Sequence, residues 1–379
     1  MRAFVSGIAL DFDLVGRGPT LVLIHALGVD RRMWRRQVPI FAVSHQVVAY
    51  DVRGHGLSDK PVGPYTLEAL ADDLHGLLDA LGIERASLLG LSMGGMIAQT
   101  FALAYPEQVD RLILADTTSE YPPEGRRQFA ERARLVEASG IDPIVPATLE
   151  RWFTPEFRAD EEDAVEEIRK IVLAADPMGY AGACHAVSRV DLTGRLGEIR
   201  CPALVLVGEH DPGTPVAAAA RIQAAIPGAR LEVIQGASHL SNVARPDAFE
   251  RIVLAFLREG TVPLEDTVAD GALDADPVSA GNLDAGAALP EAGVGGSGGG
   301  PREQGYPEAP RTDQQVTDGV IAEFFLALDF EASQLSVETV SGVVRLVGKV
   351  RSEGDRRRAI EIAAGAAGVQ RVIDALEVG

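Results

Sequence analysis

The feature that most constrains this chain is the sequence GLSMG at positions 90–94, which has the form G-x-S-x-G. An apolar run at 86–89 precedes it and a helical pattern begins at Gly94, so the motif is predicted to form a sharp turn between a buried strand and a helix. Side chains at Gly90 and Gly94 would collide there, and glycine avoids this. Such a turn presents the hydroxyl of Ser92 as a nucleophile. Taken alone, Ser92 has an alternative role as a helix cap.

An acidic residue follows at the place where a serine nucleophile of this kind needs one. The apolar run at 203–207 predicts a buried parallel strand, and Asp211 comes just after its carboxyl end, where parallel sheets carry their chemistry. Glu209 is the competing acid. We favour Asp211 because the Pro-Gly pair after it fixes a turn, although an ordinary turn-forming aspartate is the alternative.

The candidate base is His239, which follows a further predicted strand at 231–234. Serine, acid and histidine then occur in the chain order that hydrolytic triads on such sheets use. None of the other six histidines combines such a position with an upstream serine and acid.

Backbone amides are needed to stabilise the oxyanion of a tetrahedral intermediate. One should come from the residue after the nucleophile, Met93, and the other from the turn after an early buried strand. That strand is predicted at 20–24 and is followed by a small, glycine-containing loop, which nominates Leu27 as the second donor.

With these residues placed, the chain resembles the α/β-hydrolase family over its first two thirds, and the sequence YDVRGHGLS at 50–58 matches a glycine-rich loop of that family. More narrowly it resembles the 3-oxoadipate enol-lactonases, through SHLSN at 238–242, HDPGTP at 210–215 and ERWFTP at 150–155. His25 departs from those enzymes, which usually carry a smaller polar residue there. The resemblance implies hydrolysis without a cofactor, and a substrate that bears a free carboxylate.

The order of elements agrees with an α/β fold. A hairpin over 2–15 is followed by alternating buried strands and amphipathic helices, which predict a mostly parallel sheet covered on both faces. From about 121 to 190 helices follow one another without strands, which predicts a helical cap above the catalytic edge. The hydrolase domain is expected to span 1–260 and to end with a helix over 246–258.

The cap is expected to select the substrate. Trp152 and Phe153 are candidates for an apolar pocket wall, while Arg151 or Arg189 could hold a carboxylate through a two-pronged hydrogen bond. The alternatives are that the aromatic side chains form the cap core and that the arginines are solvated.

Whole-chain properties exclude several functions. The chain has 379 residues, which suggests two or more domains, and a net charge of −20 argues against binding nucleic acid or anionic membranes through a general basic field. Positions 1–7 lack the pattern of a secretion signal and no apolar run is long enough to span a bilayer, so we expect a cytoplasmic protein. Cys184 and Cys201 are predicted to be buried thiols, and no metal site is expected.

From 261 to 311 the composition shifts to Ala, Gly, Asp, Glu and Pro, which predicts a flexible linker. Structure is expected to resume over 312–379, in the order helix, hairpin, helix, strand. This order, with SGVVRLVG at 341–348 and GVQRV at 368–372, resembles the BON domain, a small α+β module associated with lipid or macromolecule binding. The arginines at 356–358 are assigned to a solvated helix face, and nothing else in the sequence supports membrane contact. The predicted elements lie at 316–328, 335–340, 343–350, 356–367 and 369–378.

These observations predict a cofactor-free serine hydrolase with Ser92 as nucleophile, Asp211 as acid and His239 as base, acting on a small carboxylated ester or lactone, above all 3-oxoadipate enol-lactone. Two other interpretations stay open. One is a different reaction on the same fold, by a general carboxylesterase or a cofactor-free haloperoxidase. The other is a non-catalytic scaffold for the C-terminal module.

Overall fold

The computed structural model describes residues 1–259 and 335–378, together with positions 313, 316, 317, 319, 320 and 324. The linker predicted over 261–311 lies outside the described residues. The described strands are β1 (Arg2–Val5), β2 (Ile8–Val15), β3 (Thr20–Ile24), β4 (Gln46–Tyr50), β5 (Ala86–Leu91), β6 (Val109–Ala115), β7 (Ala203–Gly208), β8 (Arg230–Ile234), β9 (Leu335–Val340), β10 (Val343–Val350) and β11 (Arg371–Val378).

The first eight strands form one sheet in the order β1-β2-β4-β3-β5-β6-β7-β8. The predicted hairpin is confirmed, because β1 and β2 pair antiparallel. Strand β2 pairs antiparallel with β4, and every pairing from β4 to β8 is parallel. All residues of β3, β5 and β7 are buried, as expected for a sheet covered on both faces. The carboxyl ends of the parallel strands therefore meet at one edge.

Helices cover both faces of this sheet and also form the predicted cap. Within residues 116–202 the helical segments follow one another, and the structure records only an isolated bridge between Glu120 and Asp191 besides them. The described α-helices are α1 (Gln37–Ala42), α2 (Leu67–Ala80), α3 (Met93–Ala104), α4 (Pro123–Ser139), α5 (Val145–Trp152), α6 (Pro155–Asp160), α7 (Glu162–Leu173), α8 (Pro177–Ser188), α9 (Val216–Ala225), α10 (Ser241–Ala244), α11 (Pro246–Arg258) and α12 (Glu353–Gly365). Short 3-10 helices lie at Arg31–Trp34, Pro106–Gln108, Asp142–Ile144 and Thr193–Glu198.

Local sequence explains where these helices begin. Thr66 caps α2, since its hydroxyl accepts a hydrogen bond from the Ala69 N–H at 3.1 Å. The leucines spaced along α2 are buried against the sheet, as their helical spacing predicts. Helix α11 has the predicted bounds, with Pro246 at its first position. In the described part of the chain, no helix is both long and apolar enough to cross a membrane.

The C-terminal residues form a second, smaller sheet in the order β11-β10-β9. Strands β9 and β10 form the predicted hairpin, and β11 pairs parallel with β10. Helix α12 begins three residues before its predicted start because the Ser352 hydroxyl caps it, accepting from the Asp355 N–H at 3.1 Å. The described positions of the predicted 316–328 helix are helical. Among the described residues of this module, ten are buried together in its core: Val316, Val320, Phe324, Val344, Leu346, Val350, Ala359, Ala363, Ala366 and Leu376.

Candidate active site

Ser92 is the single residue between β5 and α3, and its backbone is strained. Its φ of 57° and ψ of −114° lie outside the common regions for a residue with a side chain. A Cβ at Gly90 would lie 2.2 Å from the Gly94 carbonyl oxygen, so the turn requires glycine there. The Ser92 side chain makes no capping hydrogen bond to α3, so the alternative role as a helix cap is wrong.

The structure brings Ser92, His239 and Asp211 together at the carboxyl edge of the main sheet. His239 Nε2 lies 2.9 Å from Ser92 Oγ, and His239 Nδ1 lies 2.7 Å from Asp211 Oδ2. A carboxylate only accepts, so Nδ1 carries the proton and Nε2 is free to accept one from the serine hydroxyl. Only 9% of Ser92 and 8% of His239 are exposed, which shields the three groups from bulk water.

Asp211 is held in place by the turn that follows it. Its Oδ1 accepts hydrogen bonds from the N–H groups of Gly213 at 2.8 Å and Thr214 at 3.0 Å. The Thr214 hydroxyl donates to Oδ2 at 2.6 Å, beside the contact with His239. Glu209, the competing acid, is exposed and accepts from the Gly236 N–H at 3.0 Å, away from His239. Thr214 was not among the predicted site residues, although it lies in the HDPGTP sequence.

The charges of the pair stabilise one another. Burial opposes the ionised form of Asp211, but His239 and the hydrogen bonds from Thr214 lower the pKa of this carboxyl below its usual value. Burial likewise opposes the charged imidazole, and the Asp211 carboxylate overcomes it and raises the pKa of His239. His239 is thus a stronger base than a free histidine.

A second buried carboxyl group, Asp116, lies at the end of β6 and was missed by sequence analysis. Its Oδ1 accepts from the Gly208 N–H at 2.8 Å and its Oδ2 accepts from the Ser241 hydroxyl at 2.5 Å. Asp116 therefore links, through hydrogen bonds, the end of β7 before the Asp211 loop to Ser241, which follows His239. Burial and then the negative charge of Asp211 raise the pKa of Asp116 to about 7. A polar residue at the carboxyl end of a buried strand is the signal that could have found it.

The two predicted oxyanion donors lie on segments that pack directly against each other. A Cβ at Gly94 would be 2.1 Å from the Ile24 carbonyl oxygen, which shows how closely the start of α3 approaches the end of β3. Within residues 1–259, the N–H groups of Leu27 and Met93 donate no hydrogen bond to another protein atom. Both are therefore free to bind an external oxygen.

Two neutral histidines position the loop that carries Leu27. His25 Nε2 accepts from the Val52 N–H at 2.9 Å, and its Nδ1 donates to the Ala26 carbonyl at 2.8 Å. His55 Nε2 accepts from the Gly28 N–H at 3.3 Å. Burial lowers the pKa of His25 to about 4 and that of His55 to about 3, so both rings stay uncharged acceptors at neutral pH.

The cap residues nominated from the sequence are placed differently from one another. The carbonyl groups of Arg151 and Trp152 accept hydrogen bonds from the Ser238 hydroxyl at 2.8 Å and the Leu240 N–H at 3.3 Å, so the end of α5 lies beside His239. Phe153 is buried and stacks on Phe157 with ring centroids 5.1 Å apart, inside the cap. Arg189 is exposed at the end of α8.

Comparison with known proteins agrees with this architecture. Residues 19–246 match the family model described as alpha/beta hydrolase fold, and residues 312–379 match the BON domain model. The chain is 37% identical to 3-oxoadipate enol-lactonase 2 of Acinetobacter baylyi over 254 residues, which cover 66% of this chain and 94% of that protein.

Two solved structures are similar as well. The enol-lactonase from Burkholderia xenovorans LB400 is 37% identical in sequence and superposes with a TM-score of 0.66. The match covers 68% of this chain and 100% of that one. A thermophilic esterase from Thermogutta terrifontis, solved with malate bound, is 32% identical with a TM-score of 0.66, covering 68% of this chain and 97% of that one. The sheet order, the family match and these relatives together establish that the chain belongs to the alpha/beta hydrolase family and carries a BON domain at its C-terminal end.

Proposed function

We propose that this protein is a serine hydrolase that opens a small carboxylated lactone, with 3-oxoadipate enol-lactone as the substrate. The observation that carries the proposal is the continuous hydrogen-bonded chain from Ser92 Oγ through His239 to Asp211. Kinship with two enol-lactonases at 37% identity supports the choice of substrate.

The first half of the reaction forms an ester with the enzyme. His239 Nε2 accepts the proton of Ser92, and Oγ attacks the lactone carbonyl. The N–H groups of Leu27 and Met93 stabilise the resulting oxyanion. Asp211 keeps the proton of the imidazole on Nδ1 and stabilises the charged ring. When the C–O bond of the ring breaks, the leaving enolate oxygen takes the proton from His239, and the enol becomes a ketone.

The second half hydrolyses that ester. His239 removes a proton from water, the hydroxide attacks the acyl carbon, and Ser92 leaves with the proton returned from the imidazole. One water is consumed for each lactone opened. No cofactor takes part in this scheme, because an enolate leaves more readily than a simple alkoxide and the serine supplies the nucleophile.

The cap selects the substrate in this proposal. Trp152 supplies the apolar wall, while Phe153 belongs to the packing inside the cap. Arg151 supplies positive charge for the substrate carboxylate beside the base. Arg151 suits this role because its helix end is hydrogen-bonded to the segment around His239.

A general carboxylesterase is the second candidate, since the Thermogutta terrifontis relative at 32% identity is an esterase. The two candidates are separated by turnover of the enol-lactone against a neutral ester of similar size. We expect the lactone to have the higher kcat/KM, and Ser92→Ala to lose turnover of both substrates while melting at the wild-type temperature. Faster hydrolysis of the neutral ester would favour the esterase, and an active Ser92→Ala variant would exclude the triad.

A further inference from the structure

The end of β6 contacts the nucleophile from both sides. The N–H of Ser92 donates to the Ala115 carbonyl at 2.9 Å, and the Thr117 hydroxyl donates to the Ser92 carbonyl at 2.7 Å. The Thr117 side chain also packs against α3, since a Cβ at Gly95 would lie 2.7 Å from Thr117 Cβ. The backbone that presents the Ser92 hydroxyl is therefore held by the residues on either side of Asp116.

The side chain of Asp116 extends this attachment to the other two members of the proposed triad. Its Oδ1 accepts from the Gly208 N–H at 2.8 Å, and the Gly208 carbonyl accepts from the Asp211 N–H at 3.2 Å. Its Oδ2 accepts from the hydroxyl of Ser241 at 2.5 Å and from the N–H of the same residue at 3.4 Å, two positions after His239. One carboxyl group thus joins the loops that carry Asp211 and His239 to the strand beside the nucleophile.

The backbone of Asp116 also indicates a functional constraint. The residue is fully buried, and its φ of 45° lies in the left-handed region, which residues with a side chain seldom adopt. Residues keep such a conformation only where their surroundings hold it, and they cluster at functional sites. A buried carboxyl group is also costly unless hydrogen bonds satisfy it, and here Gly208 and Ser241 supply them.

We propose that Asp116 is a positioning residue for the hydrolysis, which keeps His239 within reach of Ser92 and Asp211 by holding their three segments together. The inference rests on the proposed function and adds a residue that acts through others rather than on the substrate. The distances that it maintains are the 2.9 Å from Ser92 Oγ to His239 Nε2 and the 2.7 Å from His239 Nδ1 to Asp211 Oδ2. A misplacement of about 1 Å can lower a rate by about 100-fold, so a small shift of the His239 loop slows both halves of the reaction.

The test compares two substitutions of Asp116 in the full chain, on the enol-lactone and on a neutral ester of similar size. Asp116→Ala removes the side-chain hydrogen bonds, so we expect kcat on both substrates to fall by about 10- to 100-fold while KM stays within about threefold of wild type. Asp116→Asn keeps an acceptor for the Gly208 N–H and can donate its amide to the Ser241 hydroxyl, so kcat should recover to within about fivefold of wild type.

A spectroscopic measurement follows the position of the imidazole directly. The proton on His239 Nδ1, which is hydrogen-bonded to Asp211, can be observed by NMR. We expect its signal to shift or disappear in Asp116→Ala and to return to the wild-type position in Asp116→Asn. A residue that only added stability to the fold would leave this signal unchanged in both variants.

Two further variants separate positioning from general stability. Asp11→Ala removes another buried carboxyl group, which pairs with Arg2 and Arg31 on β2, and three strands lie between β2 and β6. It should melt at a lower temperature than wild type and keep kcat within about twofold, because the sites are independent. Asp116→Gly adopts a φ of 45° without strain, so it removes the carboxyl group even if Asp116→Ala does not fold, and it should lose kcat to a similar extent.

The outcomes distinguish this inference from the proposed function. A wild type that hydrolyses only the neutral ester would contradict the proposed substrate, and the same variants compared on the ester would then decide the role of Asp116. An Asp116→Ala or Asp116→Gly variant that keeps its kcat would overturn the positioning role alone. Equal losses in Asp116→Asn and Asp116→Ala would also overturn it, because hydrogen bonding would not then be what the residue supplies. A similar loss in Asp11→Ala would attribute the effect to general destabilisation and overturn it as well.

Discussion

The close approach between α3 and β3 allows a direct test of how the oxyanion donors are positioned, through Gly94→Ala. A Cβ at this position would lie 2.1 Å from the Ile24 oxygen, 2.6 Å from the Ile24 carbonyl carbon and 2.9 Å from the His25 oxygen. All three are backbone atoms, so the helix must move away by about 1 Å to reach ordinary contact distances. This movement separates Met93, next to the substitution, from Leu27, three residues beyond Ile24.

The expected effect on turnover is large and the effect on stability is moderate. A displacement of this size can cost about 100-fold in rate, and loss of one oxyanion donor costs about 100- to 1,000-fold, so kcat should fall by at least about 100-fold. Overpacking costs about 1–3 kcal/mol, while alanine gains up to about 1 kcal/mol over glycine in a helix. The free energy of unfolding should therefore decrease by no more than about 3 kcal/mol.

Steady-state hydrolysis of a p-nitrophenyl ester gives kcat, and urea unfolding gives the stability of the same sample. Gly194→Ala is a matched control, because a Cβ there meets no atom within 4 Å. A Gly94→Ala enzyme that unfolds earlier than wild type but keeps its kcat would refute the reasoning, since the spacing of the two loops would then not govern the oxyanion site.

Two further predictions concern the base and the C-terminal module. Only neutral His239 can accept the serine proton, so kcat/KM should rise with pH through an apparent pKa higher than that of a free histidine, because the Asp211 carboxylate raises the pKa of His239. Asp211→Asn should move this rise in kcat/KM to lower pH and reduce kcat by about 10,000-fold. A rise that does not shift in the variant would show that another group controls it. Removal of residues 312–379 should leave turnover of small substrates nearly unchanged, because the core residues that the structure describes around the main sheet lie between Val5 and Leu257. A large loss would show that the module supports catalysis.

The sequence was sufficient to predict the elements that carry the proposed triad. Ser92 and Asp211 follow strongly apolar, buried strands, and His239 follows the alternating strand β8. Parallel strands bring their carboxyl ends to one edge, so these three distant positions could be predicted to lie close together. Chain order then distinguished His239 from the other histidines. Hairpins and helices with clear turn or cap signals, such as α11, were also predicted well because their causes are local.

The rest depends on contacts that are not local. Asp116 has the same sequence signal as any polar residue at a strand end, and its importance arises only when Gly208 and Ser241 donate to it. The start of α12 was misplaced because Glu353, Gly354 and Asp355 lack an apolar pattern, while capping by Ser352 begins the helix there.

Helices α4 to α8 form one uninterrupted insertion between β6 and β7, with Ser92 before it in the chain and Asp211 and His239 after it. Relatives can therefore differ in the molecules that they recognise through changes in a single contiguous stretch, while the residues of the proposed triad stay unchanged. The carbonyl groups of Arg151 and Trp152 limit this freedom, because they accept hydrogen bonds from the residues on either side of His239. Any replacement cap must preserve these two hydrogen bonds. We therefore expect the exchange of whole caps among relatives to succeed where the backbone at the end of α5 is kept.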